Sequence, residues 1–408
     1  MIYKRITIGS KFFYWSLILV LMTLPFPKYN INSFSIIICF IFWLLHNQWK
    51  VKFGNLKKHF LFFLLLSSLF WIALIGLTYT QDVNEGLKKL QQKIPFVLFP
   101  LIFLSINFNK RDINFLFKYF SYSVVLASLF ALAKACYFKF NNLGNFFYYD
   151  QLSIVLDKHT TYYSLFTVLS ILYFTNEILK KKIGNSIKEI IFIAFLFLML
   201  YFLSVRISIV SLICAFFILI FNNKISKKKR IGFLLVTVTT FFIYLTPNFQ
   251  QRFNAEAPNG AEISDVELRR VHWLSVVETI FDNNLFFGAG TGDGHFNLYK
   301  VYKENNFESG YVHKYNAHNQ FLEIVLYFGL LGLFIFMFMF YILLKKNIEH
   351  ANNFETAIIV VFLIFMSTES ILERHSGIVL FAYLMSALLA CAITEYNTTS
   401  KEFNELGE

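Results

Sequence analysis

The sequence predicts an all-α integral membrane protein with about twelve transmembrane helices and one large extracytoplasmic loop that carries an amphipathic helix. Three observations predict it. The 408 residues are 57% hydrophobic and 15% charged, with mean hydropathy +0.55, which is more apolar surface than a water-soluble core can hide. Apolar runs of roughly 17 to 25 residues, long enough to cross about 30 Å of hydrocarbon, recur along nearly the whole chain. With the N-terminus inside, the basic residues of the short connections also gather on the cytoplasmic side.

Taken in order, the expected spans lie near 12-27, 31-46, 60-79, 94-107, 113-138, 160-176, 188-203, 205-222, 231-247, 319-344, 355-372 and 376-395. The first follows Lys4, Arg5 and Lys11 like the lead-in of a signal peptide. It ends in Pro25-Phe26-Pro27 without a small-residue cleavage site, so it is expected to stay as an anchor. The fourth is short and holds Pro95 and Pro100, and Ser204 marks either a break between two spans or a kink in one long stretch. The inner connections carry Lys50, Lys52, Lys57 and Lys58; Lys110 and Arg111; Lys180 to Lys182; Lys224 with Lys227 to Arg230; and Lys345 with Lys346. The net charge of +12 is therefore a topogenic signal distributed over many loops, and nucleic-acid binding is not expected. Cys39, Cys136, Cys214 and Cys391 all fall within spans, so neither a disulfide nor a metal site is expected. The organisation follows: an N-terminal bundle of about nine spans over 1-247, a periplasmic loop over 248-317, and C-terminal spans with a cytoplasmic tail over 318-408, forming one membrane domain.

The long loop is where chemistry is expected, since connections of about 70 residues are usually functional or disordered. Ser264-Asp265-Val266-Glu267 reads as a capping box that opens a helix near 265-283, with Trp273, Val277 and Ile280 as its apolar stripe and Arg269 and Arg270 one turn earlier. Asn284 to Gly294 is rich in glycine, including Gly288, Gly290 and Gly292. No strand precedes it, so a dinucleotide fingerprint is discarded. Backbone amides that approach a phosphate remain open, and a turn that needs positive φ is the commoner reading. Arg206 sits at the outer end of a span, where a guanidinium needs an anionic partner. His318, followed by Asn319, opens the apolar run to 344, and His159 opens the one at 160-176. Each is either a cap or a titrating group at the outer interface. No Ser-His-Asp set, HExxH helix or paired-Cys pattern occurs. Outer-face guanidiniums with a nearby imidazole suit a lipid-diphosphate-linked substrate, because the first binds phosphate oxygens and the second removes a hydroxyl proton.

The residues from Leu268 to Phe334 resemble bacterial O-antigen ligases and the related O-antigen polymerases. His318-Asn319, nine residues, then Gly329-Leu330-Leu331-Gly332 is similar to the ligase signature, with Leu333 where Thr is usual. Arg269 before Trp273, the Asn284 to Gly292 run with Leu285 where Pro is common, Ser204-Val205-Arg206, and His159-Thr160-Thr161-Tyr162-Tyr163-Ser164 are similar to further family segments. The resemblance implies a GT-C-like, metal-independent transferase without cofactors in the bacterial inner membrane. It would take an undecaprenyl-diphosphate-linked glycan donor and transfer it to lipid A-core or another glycan acceptor, with membrane lipids around it. It also implies that Arg206 and Arg269 bind the diphosphate, with Arg270 in reserve, and that His318 orients or deprotonates the acceptor. His159, Asn319, Gly290 and Gly292 would contribute to substrate binding, while Glu323 and Asp293 are lesser candidates. A polymerase joining lipid-linked repeats shares these features, and a polytopic transporter is the alternative from a different class.

Overall fold

The computed structural model describes residues 8–27, 29–180, 186–220 and 265–405, excepting the side chains of 8–10, 29, 265–269 and 396–405. Among the described residues the elements are all helical. They are α1 (Ile8–Thr23), α2 (Tyr29–Leu45), α3 (Trp49–Lys58), α4 (Phe60–Leu66), α5 (Ser68–Gly76), α6 (Val83–Gln92) and α7 (Pro95–Leu104). Next come α8 (Lys110–Phe140), α9 (Asp150–Ile154), α10 (Thr160–Lys180), α11 (Ile187–Leu203) and α12 (Arg206–Ile220). The C-terminal part holds α13 (Asp265–Asp282), α14 (Gly294–Glu304), α15 (Glu308–Val312), α16 (Gln320–Glu349), α17 (Asn353–Met366), a 3-10 turn (Ile371–Glu373) and α18 (His375–Glu405).

Three described helices are long and apolar enough to cross a membrane: Lys110–Phe140, Gln320–Glu349 and His375–Glu395. A fourth candidate is the pair Asn30–Leu45 and Trp49–Lys58, bent by 106°. The expected run 60-79 is instead two helices broken at Ser67, whose hydroxyl donates to the Phe63 carbonyl, and 94-107 is the ten-residue α7. Ser204 adopts φ 50 and ends α11, so the 188-222 stretch is two helices. The expected span 231-247 and the Ser264 end of the capping box lie outside the described residues.

Two helices form the centre of the bundle. In α10 an unbroken run from Tyr162 to Phe174 is buried, and 94% of the apolar window of α18 is buried. A helix apolar all round is stable only when surrounded, and α10 is packed on by α8, α11, α12 and α17. Its internal hydroxyls create no unpaired donors, since Ser164, Thr167 and Ser170 each donate to a carbonyl three or four residues earlier.

α16 is broken at Gly329, which takes φ 63 and ψ −167. The break frees the carbonyls of Leu326 and Tyr327 and the amides of Leu330 and Leu331, groups too costly to leave unpaired in an apolar setting. The glycine-rich turn supplies all four partners. Ala289 and Gly290 donate to Leu326 and Tyr327 at 2.9 and 3.1 Å, and Leu330 and Leu331 donate to Leu285 and Phe286 at 2.9 and 3.2 Å. The approach is so close that a Cβ on Gly329 would lie 2.2 Å from the Phe286 carbonyl carbon.

Candidate functional site

One end of the bundle gathers His159, His318 and Asn319 around the connection 367–374. His318 has φ 43 immediately before Asn319, whose side chain caps α16 by accepting from the Phe321 and Leu322 amides at 2.9 and 3.1 Å. The Asn319 amide group donates to the Ser367 carbonyl at 3.0 Å. His318 Nδ1 lies 3.3 Å from Glu369 Oε1, with 36% of the His318 side chain exposed. Its ring also stands edge-on to His272 and Tyr315, at 5.3 and 5.6 Å between centroids. Burial alone would raise the Glu369 carboxyl. The hydrogen bond and charge of His318, with His159 and Arg374 nearby, outweigh it and hold the group below its ordinary range.

His159 joins the same cluster at the start of α10. Thr161 reaches Glu369 at 3.5 Å, and Tyr162 donates to the carbonyls of Ser370 and Ile371 at 3.1 and 3.2 Å. Burial lowers the pKa of His159, opposed by the Glu369 charge. Arg206 opens α12, which packs along α17, and Asn353 at the start of α17 donates to the Ile218 carbonyl at the far end of α12. From that contact both helices extend about 18 to 20 Å in the same direction. Arg206 and Met366 thereby lie toward the same end of the α12–α17 pair.

α13 brings the loop to this end through His272, whose Nε2 is 2.8 Å from the Asn316 carbonyl. Arg269 lies one turn before His272 and so on the same helical face, while its side chain is outside the described residues. Arg270 is exposed on another face. The buried face of α13 is His272, Ser275, Val276, Thr279 and Ile280, whereas Trp273 and Val277 are only half-buried. The expected stripe of Trp273, Val277 and Ile280 is thus displaced by one position. The physical reason is that α13 seats on α14 and α16, where Val276 and Ile280 join Leu298, Tyr302 and Val325 in a separate apolar core.

The amides of Gly290 and Gly292 have partners within the protein. The Gly290 amide donates to Tyr327, and the Gly292 amide to Thr80 Oγ1 at 2.8 Å, so both are engaged by the protein. Asp293 likewise accepts from the Gln81 and Asp82 amides at 2.6 and 2.9 Å and fixes the entry to α6.

Beneath the His318–Glu369 pair lies a second charged cluster. Lys89 of α6 pairs with Glu373, and His295 of α14 hydrogen-bonds Glu323. Lys89, Lys93, Gln320, Glu323 and Glu373 line a cavity of about 10 Å³, close to the size of one water. Burial disfavours the Lys89 ammonium, yet Glu373 and Glu323 raise its pKa above the ordinary value. Burial likewise opposes the Glu373 charge, but Lys89, Lys93 and His295 pull its carboxyl well down. Burial lowers the pKa of Lys93. His295, Glu323 and Glu373 present ligand atoms within 4.8 Å of one another, the spacing of a cation site. Their engagement with Lys89 and with each other makes this a self-neutralised network instead.

The sequence reading missed His272, Glu369, Arg374, Lys89 and Glu373. Lys88, Lys89 and Lys93 carried a usable signal, because three lysines in a short connection on the predicted outer side run against the inside bias and so require a local reason.

No curated protein matches the chain. Residues 191–337 match the O-antigen ligase family. That match contains Arg206, Arg269, His272, the glycine-rich turn, His318 and the break at Gly329, so over residues 191–337 this helical chain is similar to the O-antigen ligase family.

Proposed function

We propose that the protein is an O-antigen ligase-like glycosyltransferase that moves an undecaprenyl-diphosphate-linked glycan to an acceptor hydroxyl, that of lipid A-core, at the periplasmic face of the inner membrane. The observation that carries this reading is the half-exposed His318 held against buried Glu369 at 3.3 Å within the family segment. A carboxylate that accepts from Nδ1–H leaves the Nε2 lone pair free as a base. In the proposed reaction Nε2 takes the acceptor proton while the hydroxyl oxygen attacks sugar C1 opposite the diphosphate. The C1–O bond breaks with its electrons on the diphosphate, and the configuration inverts. Arg206, at the start of α12, and Arg269, on the His272 face, bind that leaving group and stabilise its charge without a metal. The exposed Arg270 is the reserve, and His159 and Asn319 line the acceptor side. About twelve spans in a GT-C-like arrangement, with a periplasmic 248-317 loop, complete the reading.

The test is the glycan profile of cells that carry His318→Ala at wild-type abundance. Full-length glycan stranded on the prenyl carrier is the expected result. Single repeats on the acceptor would instead make the protein an O-antigen polymerase, and an unchanged profile would remove His318 from the chemistry.

A further inference from the structure

We propose that Glu323 is a positioning residue that fastens the two segments carrying His318 and Glu369 together; this rests on the catalytic reading of that pair. The two residues are 51 positions apart in sequence, on separate connections, and their contact of 3.3 to 3.4 Å is long for a charge-assisted hydrogen bond. Such a contact does not by itself fix an imidazole to the tolerance that proton transfer needs. The geometry is set one layer below. Glu323 lies one turn into α16 with 1% of its side chain exposed. Its Oε2 accepts from the Ala317 amide at 2.8 Å and from the Ser370 hydroxyl at 3.1 Å. Ala317 immediately precedes His318, and Ser370 immediately follows Glu369.

One carboxylate oxygen therefore holds the neighbours of both partners, and Oε1 is held by His295. The flanking residues of the same turn reinforce one side of this clamp. Asn319 donates to Ser367, and Gln320 Oε1 accepts from the Leu372 amide at 2.6 Å. Those two bonds tie down the 367–372 segment, while Glu323 also binds the backbone that sets the left-handed turn at His318. Glu323 touches neither His318 nor Glu369 in any of these bonds, so its action passes through the backbone.

The experiment compares His318→Ala, Glu323→Ala and Glu323→Gln in single turnover. The donor is purified undecaprenyl-diphosphate-linked glycan, and its Kd is measured in parallel with the first-order transfer rate constant. The folded fraction does not enter that rate constant, so a general loss of protein does not imitate the effect. Glutamine keeps an oxygen for Ala317 and Ser370. Glu323→Gln is therefore expected within about threefold of wild type, and Glu323→Ala about 10²-fold slower at unchanged donor Kd, the size of a misplacement near 1 Å. A wild-type rate in Glu323→Ala overturns the proposal, and so does an equal loss in both variants, which would assign the effect to the charge. If Glu323→Ala does not fold, Ser370→Ala decides: slower transfer at unchanged Kd supports the clamp and a wild-type rate overturns it. Wild-type transfer by His318→Ala would instead refute the catalytic reading itself.

Discussion

At the scale of single residues, two glutamates on one short connection each face their own set of basic groups. Glu369 faces His318, His159 and Arg374, while Glu373, four residues on, faces Lys89, Lys93 and His295. The first set is half open and suits proton transfer, whereas the second is closed and mutually neutralising. Replacement of Glu369 by Gln removes the charge that orients and stabilises the His318 imidazole. Transfer is then expected to fall roughly 10²-fold in kcat with donor KM little changed, as measured by steady-state kinetics. The Lys89–Glu373 pair acts on stability. Lys89→Met leaves a buried carboxylate short of its main partner and is expected to destabilise by about 3 kcal/mol, the low end for a broken buried pair because Lys93 and His295 remain. The pH dependence follows in sign. A carboxyl held below its ordinary value of 4.5 lends stability that is present at neutral pH and lost as acid takes the pH down through the lowered native value. Lys89→Met raises the Glu373 carboxyl, so thermal melts of the detergent-solubilised variant should lose stability at a higher pH than wild type.

At the scale of elements, α16 and the glycine-rich turn form one unit. The Gly329 break and the 285–290 turn exchange four backbone hydrogen bonds, which explains why a helix crossing apolar surroundings tolerates an interruption. Gly329→Ala puts a Cβ within 2.5 Å of three backbone atoms at positive φ and is expected to abolish folded protein in size-exclusion profiles. Gly54→Ala, inside α3 with open space around its Cβ, should raise stability by about 0.5 to 1 kcal/mol in a thermal melt. This unit also marks the limit of what the sequence reveals. The glycines announced a special backbone, but their partners are carbonyls and amides of a helix some 40 residues away, and backbone groups have no identity in a sequence. His318 and Asn319 were legible because a cap before an apolar run has a local pattern. Glu369 and Glu373 were not, since they lie in an irregular connection after α17 and acquire meaning only from the residues that face them.

At the scale of the whole molecule, composition made the helical membrane class evident, while the number of crossings was less legible. The apolar run 60-79, for example, resolves into α4 and α5, which meet at Ser67. The 14-residue α17, shorter than a bilayer, is buried by its neighbours. In the proposed topology the site faces the periplasm, and that placement is testable. Cysteines placed at exposed Lys300 and exposed Glu349, in a background free of the native four, should therefore label oppositely with an impermeant maleimide: Lys300→Cys in intact spheroplasts, Glu349→Cys only after permeabilisation. The most direct test of the central claim is transfer in proteoliposomes that contain purified protein, prenyl-diphosphate-linked glycan and lipid A-core, comparing wild type with His318→Ala. Glycan on lipid A-core with wild type, and a loss of at least about 10²-fold with the variant at unchanged donor binding, is the predicted result. Equal product from both proteins would contradict the account.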